Sequence, residues 1–193
     1  MSPATEWQAA FWHKVQEPTH ASVLRDAAMR GALGAWTSQL TTTAVETCQA
    51  MGWQAAAKGH GLDLLPFGKY EYLSLDVLAF PSSGGKWRFP VAAIELENDK
   101  DVSRIAYSLW KVLSVRAVLR IVFCYRTNPD EAGPLVRSLA DDVVKALDVD
   151  ERLQMKGSML VVVGSRGEAQ TFPYGFFKWW QLDKNTGLFA LLT

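Results

Sequence analysis

The chain has 193 residues, of which 49% are hydrophobic and 21% are charged. This composition is too apolar for a disordered chain, and the length supports one sizeable core. The 20 lysine and arginine residues balance 20 aspartate and glutamate residues, which argues against a protein that coats nucleic acid through bulk charge.

No apolar run approaches the roughly 18 residues that a membrane span needs. The N-terminal sequence MSPATEWQAAFWHKVQ lacks the basic and apolar segments of a secretory signal. We therefore expect a cytoplasmic protein without a membrane partner, folded as a single domain over residues 1–193. Cys48 and Cys124 are the two cysteines, and we expect both to be core thiols rather than a disulfide or zinc ligands.

A helical segment is predicted over about residues 1–51. Thr5 is a plausible cap for the first helix, TEWQAAFWHKVQ, and the alanine-rich stretch ASVLRDAAMRGALGAW and the stretch WTSQLTTTAVETCQAMG follow. Three extended segments come next, WQAAAK, YEYLSLDVLAF and WRFPVAAIELE, separated by the turn-forming stretches GHGLDLLPFGK and PSSGGK.

The rest of the chain alternates helices and buried strands. The predicted order is a helix in DVSRIAYSLWKVLSVR capped by Asp101, the strand AVLRIVFCYR, the helix DEAGPLVRSLADDVVKAL, the strand GSMLVVVGSR and one more strand in the aromatic tail TFPYGFFKWWQL. The expected fold is α/β, a single domain whose central mixed sheet has a core of helix, three-strand meander, helix and strand, flanked by helices.

Two glutamates end an apolar strand in VAAIELENDKD, residues 91–101. In a strand, residues two apart point to the same face, so Glu95 and Glu97 share one face. A two-residue turn at Gly84 and Gly85 would place Asp76 opposite Ala93 and diagonal to Glu95, about 7–8 Å away. A slip of one residue would move Asp76 to the other face.

Convergent carboxylates suit a hard cation such as Mg²⁺, with Mn²⁺ as a substitute, because such ions prefer oxygen ligands. Asp76, Glu95 and Glu97 are therefore the candidate metal ligands. The alternative is structural: Asp76 and Glu97 lie in solvent at strand ends, and Glu95 pairs with a nearby basic residue.

An Asp in one strand, a hairpin and then IELE, followed by a helix and an apolar strand, resembles the PD-(D/E)xK superfamily of metal-dependent nucleases. The match covers residues 36–125, about half the chain. The resemblance implies a restriction endonuclease-like fold in which Asp76 and Glu95 bind metal, with help from the carbonyl of Leu96. Glu97 occupies the position where the family usually has lysine, and some members carry a second glutamate there. By the resemblance, Glu97 orients or deprotonates the attacking water.

A lysine from elsewhere could replace the missing one, and Lys111 on the following helix is a candidate. A helical wheel argues against it, because Lys111 lies away from the apolar centre at Ile105 and Leu109. With Arg104 and Lys100, it is instead predicted to bind nucleic acid. The segment 100–126 has a basic excess that suits phosphate, although a solvated helix face explains it as well: Lys100, Arg104, Lys111, Arg116, Arg120 and Arg126 against Asp101.

Four other residues with functional side chains carry weaker predictions. Glu46 could add a carboxylate to the metal site, as the equivalent helix does in some relatives by resemblance. His13, His20 and His60 have no metal-ligand spacing and are expected at the surface or in caps.

The chain has eight tryptophans, and the aromatic tail FPYGFFKWW is expected to be buried or to mediate self-association rather than to stack bases. A homodimer would suit a nuclease that cuts both strands.

The leading hypothesis is a Mg²⁺-dependent endonuclease that hydrolyses phosphodiester bonds in DNA, with RNA as a second candidate substrate. Asp76 and Glu95 would hold the metal and Glu97 would assist the water. The alternative is a non-catalytic α/β binding or assembly module on the same scaffold.

Overall fold

Three helices precede the first strand, as the N-terminal pattern predicts. They are α1 Pro3–Gln16, α2 Pro18–Arg30 and α3 Leu33–Ala50. Proline at the start of α1 and α2 suits a position whose N–H would have no helical partner. Ser2, not the expected Thr5, is the cap of α1, and its hydroxyl accepts a hydrogen bond from the Thr5 N–H at 3.3 Å.

The computed structural model describes residues 2–66 and 72–192, and these form a mixed seven-stranded sheet with helices on both faces. The strands follow chain order across the sheet: β1 Trp53–Ala57, β2 Val77–Pro81, β3 Ala92–Leu96, β4 Leu119–Arg126, β5 Ser158–Ser165, β6 Phe177–Asp183 and β7 Leu188–Leu191. The first three form the predicted antiparallel meander, β3, β4 and β5 are parallel, and β6 and β7 are antiparallel. The predicted α/β fold with a mixed sheet is confirmed.

Three further α-helices lie after the meander in the described part of the chain. They are α4 Val102–Leu113, α5 Ala132–Asp142 and α6 Val149–Gln154. Asp101 caps α4 as predicted, because its carboxylate accepts the Ser103 N–H at 2.9 Å. The predicted helix of residues 130–147 ends earlier, at Asp142.

The sheet separates two apolar cores. The first lies under α1, α2 and α3 and contains Trp7, Phe11 and Trp36 with the inward side chains of the sheet, and the second lies under α4 and α5. Most of the aromatic tail belongs to the first core, where Phe176 is 0% and Trp179 is 6% exposed. The expected burial of the tail is confirmed, and Cys48 and Cys124 are buried as predicted.

Two local predictions are wrong. The strand predicted over 70–80 begins only at Val77, because Leu73 and Ser74 have φ angles of 58° and 54°, which an extended strand does not allow. Residues 70 and 71 of that prediction lie outside the described residues. The expected two-residue turn at Gly84 and Gly85 is a longer loop over 82–91. The aromatic tail TFPYGFFKWWQL does end in one strand, β6, as predicted, and β7 pairs with it from beyond the tail.

In the described residues, no helix combines the length and the apolar character needed to cross a membrane.

Replacing Trp36 by alanine should destabilise the protein by about 3–5 kcal/mol, the usual cost of deleting a buried large aromatic side chain. Trp36 is fully buried, packs against Phe172 and Phe176, and donates a hydrogen bond from its indole to the hydroxyl of Tyr125 at 2.8 Å. Urea unfolding of the wild type and the variant measures this loss. Trp87→Ala is the matched control, because Trp87 is 70% exposed and its removal should change the free energy of unfolding by less than about 0.5 kcal/mol. Equal losses in both variants would contradict the assignment of Trp36 to the core.

Candidate active site

Asp76 and Glu95 lie on the same face of the sheet. Val77 pairs with Ile94 and Leu78 with Ala93, so the register continues to place Asp76 opposite Glu95 rather than opposite the expected Ala93. The difference from the expected register is two residues, and an even shift preserves the face. The hairpin thus brings the two carboxylates closer than the diagonal arrangement predicted from the sequence.

The carboxylate of Asp76 is anchored to the end of β3. Its Oδ2 accepts a hydrogen bond from the backbone N–H of Leu96 at 2.7 Å. Asp76 directly precedes β2 and follows the turn that contains Leu73 and Ser74. The turn and the hydrogen bond together hold an acidic side chain beside Glu95.

Glu95 is a buried carboxylate with one paired and one unpaired oxygen. The residue is 4% exposed, and its Oε2 lies 2.8 Å from the Nζ of Lys111. The other oxygen, Oε1, is buried without a hydrogen-bond partner among the described residues. Burial raises the pKa of Glu95 to about 7; the Lys111 ammonium lowers this pKa, and the negative charge of Asp76 raises it.

A divalent cation fits this donor set. A buried carboxylate oxygen without a partner is costly, and a metal ion would satisfy it. Asp76 supplies a second carboxylate from the facing strand, and hard cations bind such oxygen ligands.

Lys111 is part of the site, which the helical wheel did not predict. Its ammonium contacts Glu95, donates a hydrogen bond to the carbonyl of Ser74 at 3.2 Å and lies 5.6 Å from the centre of the Tyr107 ring. The wheel correctly grouped Arg104, Ser108 and Lys111 on one side of α4. The interpretation of that side as facing away from the acids is wrong, because the long side chain of Lys111 extends from α4 to Glu95 in β3.

Glu97 is held by local hydrogen bonds. Its Oε1 accepts the Asp99 N–H at 2.8 Å, and its Oε2 accepts the Ser108 hydroxyl at 3.3 Å. Contact with α4 puts Glu97 on the same side as Glu95, as the alternation of a strand requires. The structure therefore gives Glu97 a role in fixing the segment after β3 to α4.

The other two basic candidates lie at the surface. Lys100 is exposed, and the Nε of Arg104 lies 3.1 Å from Asp99 in an exposed ion pair. Exposed pairs are weak and exchange partners readily, so both side chains are accessible to a charged ligand.

A cleft of about 430 Å³ adjoins Asp76 and was not found from the sequence. It is lined by Gly34, Thr37, Ser38, Thr41, Lys58, Gly59 and Asp76. The hydroxyl-rich stretch TSQLTTT in α3 was the available signal, because positions 37, 38 and 41 fall on one side of a helix. The cleft offers hydroxyl donors and one lysine beside the acidic pair.

Asn98 ties the segment after β3 to the cleft wall. Its amide nitrogen donates a hydrogen bond to the Thr37 hydroxyl at 2.7 Å, and its amide oxygen accepts one from Arg166 at 3.0 Å. The Arg166 guanidinium lies 4.3 Å from the centre of the Tyr125 ring, a cation–π contact that fixes the side chain. The contacts from Tyr125 through Arg166 and Asn98 to Thr37 thus hold the cleft wall next to Asp76 in place.

Glu46 does not join the acidic pair. Its Oε2 lies 3.0 Å from the Nε2 of His20 and 3.6 Å from the Nζ of Lys14. His20 is 4% exposed, so the prediction of a surface or capping histidine is wrong. Glu17, His20 and Glu46 form a Glu-His-Glu group that could hold a metal ion, although Lys14 already pairs with both carboxylates.

Comparisons with known proteins address the fold. No protein-family model matches the chain, and no curated protein matches its sequence. Among solved structures, the cAAA-bound form of NucC from E. coli MS115-1 aligns over 100% of this chain and 83% of that chain, with a TM-score of 0.52 and 13% sequence identity. The two chains therefore share their overall fold. Identity at this level shows the shared architecture and leaves activity to be argued from the site.

In metal-free buffer, stability should fall as the pH rises from about 4.5 to about 7. Over this range Glu95 ionises in the unfolded chain, where its pKa is near 4.5, but stays protonated in the folded protein, where the pKa is about 7. The raised pKa therefore lowers the free energy of unfolding by up to about 3 kcal/mol above pH 7. Glu95→Gln should lack this loss, which urea unfolding at pH 5 and pH 8 measures.

The control for this experiment is Asp141→Asn, because the side chain of Asp141 is 57% exposed. This variant should retain the pH dependence of the wild type. The free energy of unfolding of Glu95→Gln is compared with that of the wild type at each pH. An equal difference at pH 5 and pH 8 would contradict the raised pKa of Glu95.

Proposed function

We propose that this chain is a divalent-metal-dependent nuclease that hydrolyses phosphodiester bonds in DNA. The observation that carries the proposal is the pairing of Asp76 with Glu95 on one face, beside the half-buried Lys111 and an open cleft. The sequence supports it, because it resembles the metal-dependent nucleases of the restriction endonuclease-like fold around these same two acids.

Asp76 and Glu95 would hold the metal, Mg²⁺ in the cell or Mn²⁺ as a substitute. A bound divalent ion would supply charge neutralisation at the phosphate and a more acidic water. The ligand oxygens would be Oε1 of Glu95, which has no hydrogen-bond partner among the described residues, and the carboxylate of Asp76, whose Oδ2 also accepts the Leu96 N–H.

Most members of the resembling family have a lysine at the position that Glu97 occupies in this chain. Lys111 would take the role of that lysine. Its ammonium lies 2.8 Å from Glu95 and keeps a positive charge where a phosphate would approach. It also favours the ionised form of Glu95, which is the form that binds metal.

Glu97 assists the attacking water through Oε2. This oxygen accepts the longer of the two hydrogen bonds of the carboxylate, 3.3 Å from Ser108 against 2.8 Å from the Asp99 N–H. Giving up the longer bond leaves the segment after β3 anchored by the shorter one.

The nucleic acid would follow the cleft. Lys58 and the α3 hydroxyls, which line the cleft beside Asp76, would contact phosphates, and the exposed Lys100 and Arg104 would contact phosphates near the start of α4. A homodimer would allow both strands of a duplex to be cut.

A non-catalytic binding or assembly module remains the second candidate. Two observations favour it: Lys111 already neutralises Glu95, and both oxygens of Glu97 accept hydrogen bonds from the protein. Such a module would bind its partner without needing a metal.

Calorimetric titration with Mn²⁺ tests the proposal without knowledge of the DNA sequence. The wild type should bind Mn²⁺, and Asp76→Asn and Glu95→Gln should each weaken binding by at least tenfold, because each removes one carboxylate ligand. Cleavage of plasmid DNA in Mg²⁺ should fall in the same two variants. Asp141→Asn, an exposed acid on α5, is the control and should match the wild type. Metal binding or cleavage that is unaffected by both site variants would refute the assignment and favour the binding module.

Lys111→Met should move the acidic limb of the pH–rate profile to higher pH. The Lys111 ammonium lowers the pKa of Glu95, so its loss raises that pKa further above 7 and delays ionisation. Lys111→Arg retains the charge and should shift the limb less. Arg104→Met serves as a comparison that weakens DNA binding without moving the limb. An unchanged limb in Lys111→Met would show that Lys111 does not act through Glu95.

A further inference from the structure

Two large aromatic side chains stand side by side on the outside of α4. Tyr107 is 60% and Trp110 is 56% exposed. Their ring centres are 5.9 Å apart and their planes differ by 16°, so the rings are stacked in parallel. Leaving this much aromatic surface in water is unfavourable. Exposed hydrophobic side chains are usually scattered singly over a protein surface rather than placed next to each other.

The aromatic pair adjoins the candidate active site. The ammonium of Lys111 connects the two, because it lies 5.6 Å from the centre of the Tyr107 ring and 2.8 Å from the Oε2 of Glu95. A ligand that covers the Tyr107 ring therefore lies next to the residues that would hold the metal.

The two charged residues of α4 are both cationic, although Arg104 is paired with Asp99 and Lys111 with Glu95. Helix α4 carries Arg104 and Lys111 and contains no acidic residue in its sequence, VSRIAYSLWKVL. Lys100 is exposed just before the helix. Flat aromatic surface beside positive charge matches a nucleotide, which combines a flat base with a phosphate.

We propose that Tyr107 and Trp110 form a stacking platform for an unpaired base of the strand whose phosphate lies at Asp76 and Glu95. The inference rests on the proposed nuclease function and adds its substrate class, which is nucleic acid with an unstacked base near the cut. In a duplex the faces of the bases are covered by their neighbours, so a stacking platform favours single-stranded over double-stranded nucleic acid.

The chain provides a matched control at the far end of the sheet. Trp87 and Phe89 are each 70% exposed and lie in the loop that joins the end of β2 to the start of β3. Asp76 and Glu95 lie at the opposite ends of these two strands. Replacing Trp87 and Phe89 removes similar exposed aromatic area without touching the platform.

Binding is measured by fluorescence anisotropy with a 5′-labelled oligothymidylate of about 12 nucleotides, in Ca²⁺ or EDTA so that no cleavage is needed. The wild type should bind this strand more tightly than a duplex of equal length. The double variant Tyr107→Ala and Trp110→Ala should weaken single-strand binding about tenfold or more. Tyr107→Phe with Trp110→Phe, which keeps two rings, and Trp87→Ala with Phe89→Ala should both stay within about twofold of the wild type.

Three results would overturn the inference. One is unchanged single-strand affinity in the alanine double variant, and another is no single-strand binding by the wild type. The third is a wild type that sediments as an oligomer together with a double variant that sediments as a monomer and has unchanged single-strand affinity. The aromatic pair would then be an interface between copies of the chain. Because hydrolysis plays no part in this assay, failure of Asp76→Asn to affect metal binding or cleavage would refute the proposed catalytic site alone.

Discussion

The ion pair between Glu95 and Lys111 is the contact on which the candidate site depends. A carboxylate that is 4% exposed is costly to ionise, and its oxygens need compensation. Lys111 satisfies one oxygen from α4, on a helix whose Ile105, Leu109 and Val112 are buried against the sheet. With Lys111 directed at Glu95, Ser108 faces Glu97 and Tyr107 lies at the outer edge of the same site.

The second constraint is the position of the site between the two layers of helices. Helix α3 supplies the hydroxyl groups of the cleft from one side of the sheet, and α4 supplies Lys111 from the other. The two layers meet at the ends of β1 and β3, where Asn98 and Arg166 brace the connection. Catalytic geometry would therefore depend on packing in both cores rather than on a single loop.

Strand alternation made the shared face of Asp76 and Glu95 predictable from the sequence, because an error of two residues in register does not change the face. The exact pairing was not predictable, since it depends on the left-handed residues Leu73 and Ser74 and on the long loop before β3. A helical wheel does not place Lys111 at the acids, because it describes where a side chain begins and not how far a lysine extends. The burial of His20 comes from packing between α2 and α3, which no local pattern in the sequence reveals.

The sequential order of the strands has a consequence for biosynthesis. All the residues proposed to hold metal, position phosphate or stack a base lie between positions 34 and 111, so they are synthesised before β5, β6 and β7. The N-terminal helices, however, bury Trp7 and Phe11 against Phe177 and Trp179 of β6. Strand β6, which is synthesised after the acidic pair, therefore supplies packing that holds α1, and a nascent chain carries the acidic pair before the first core can close.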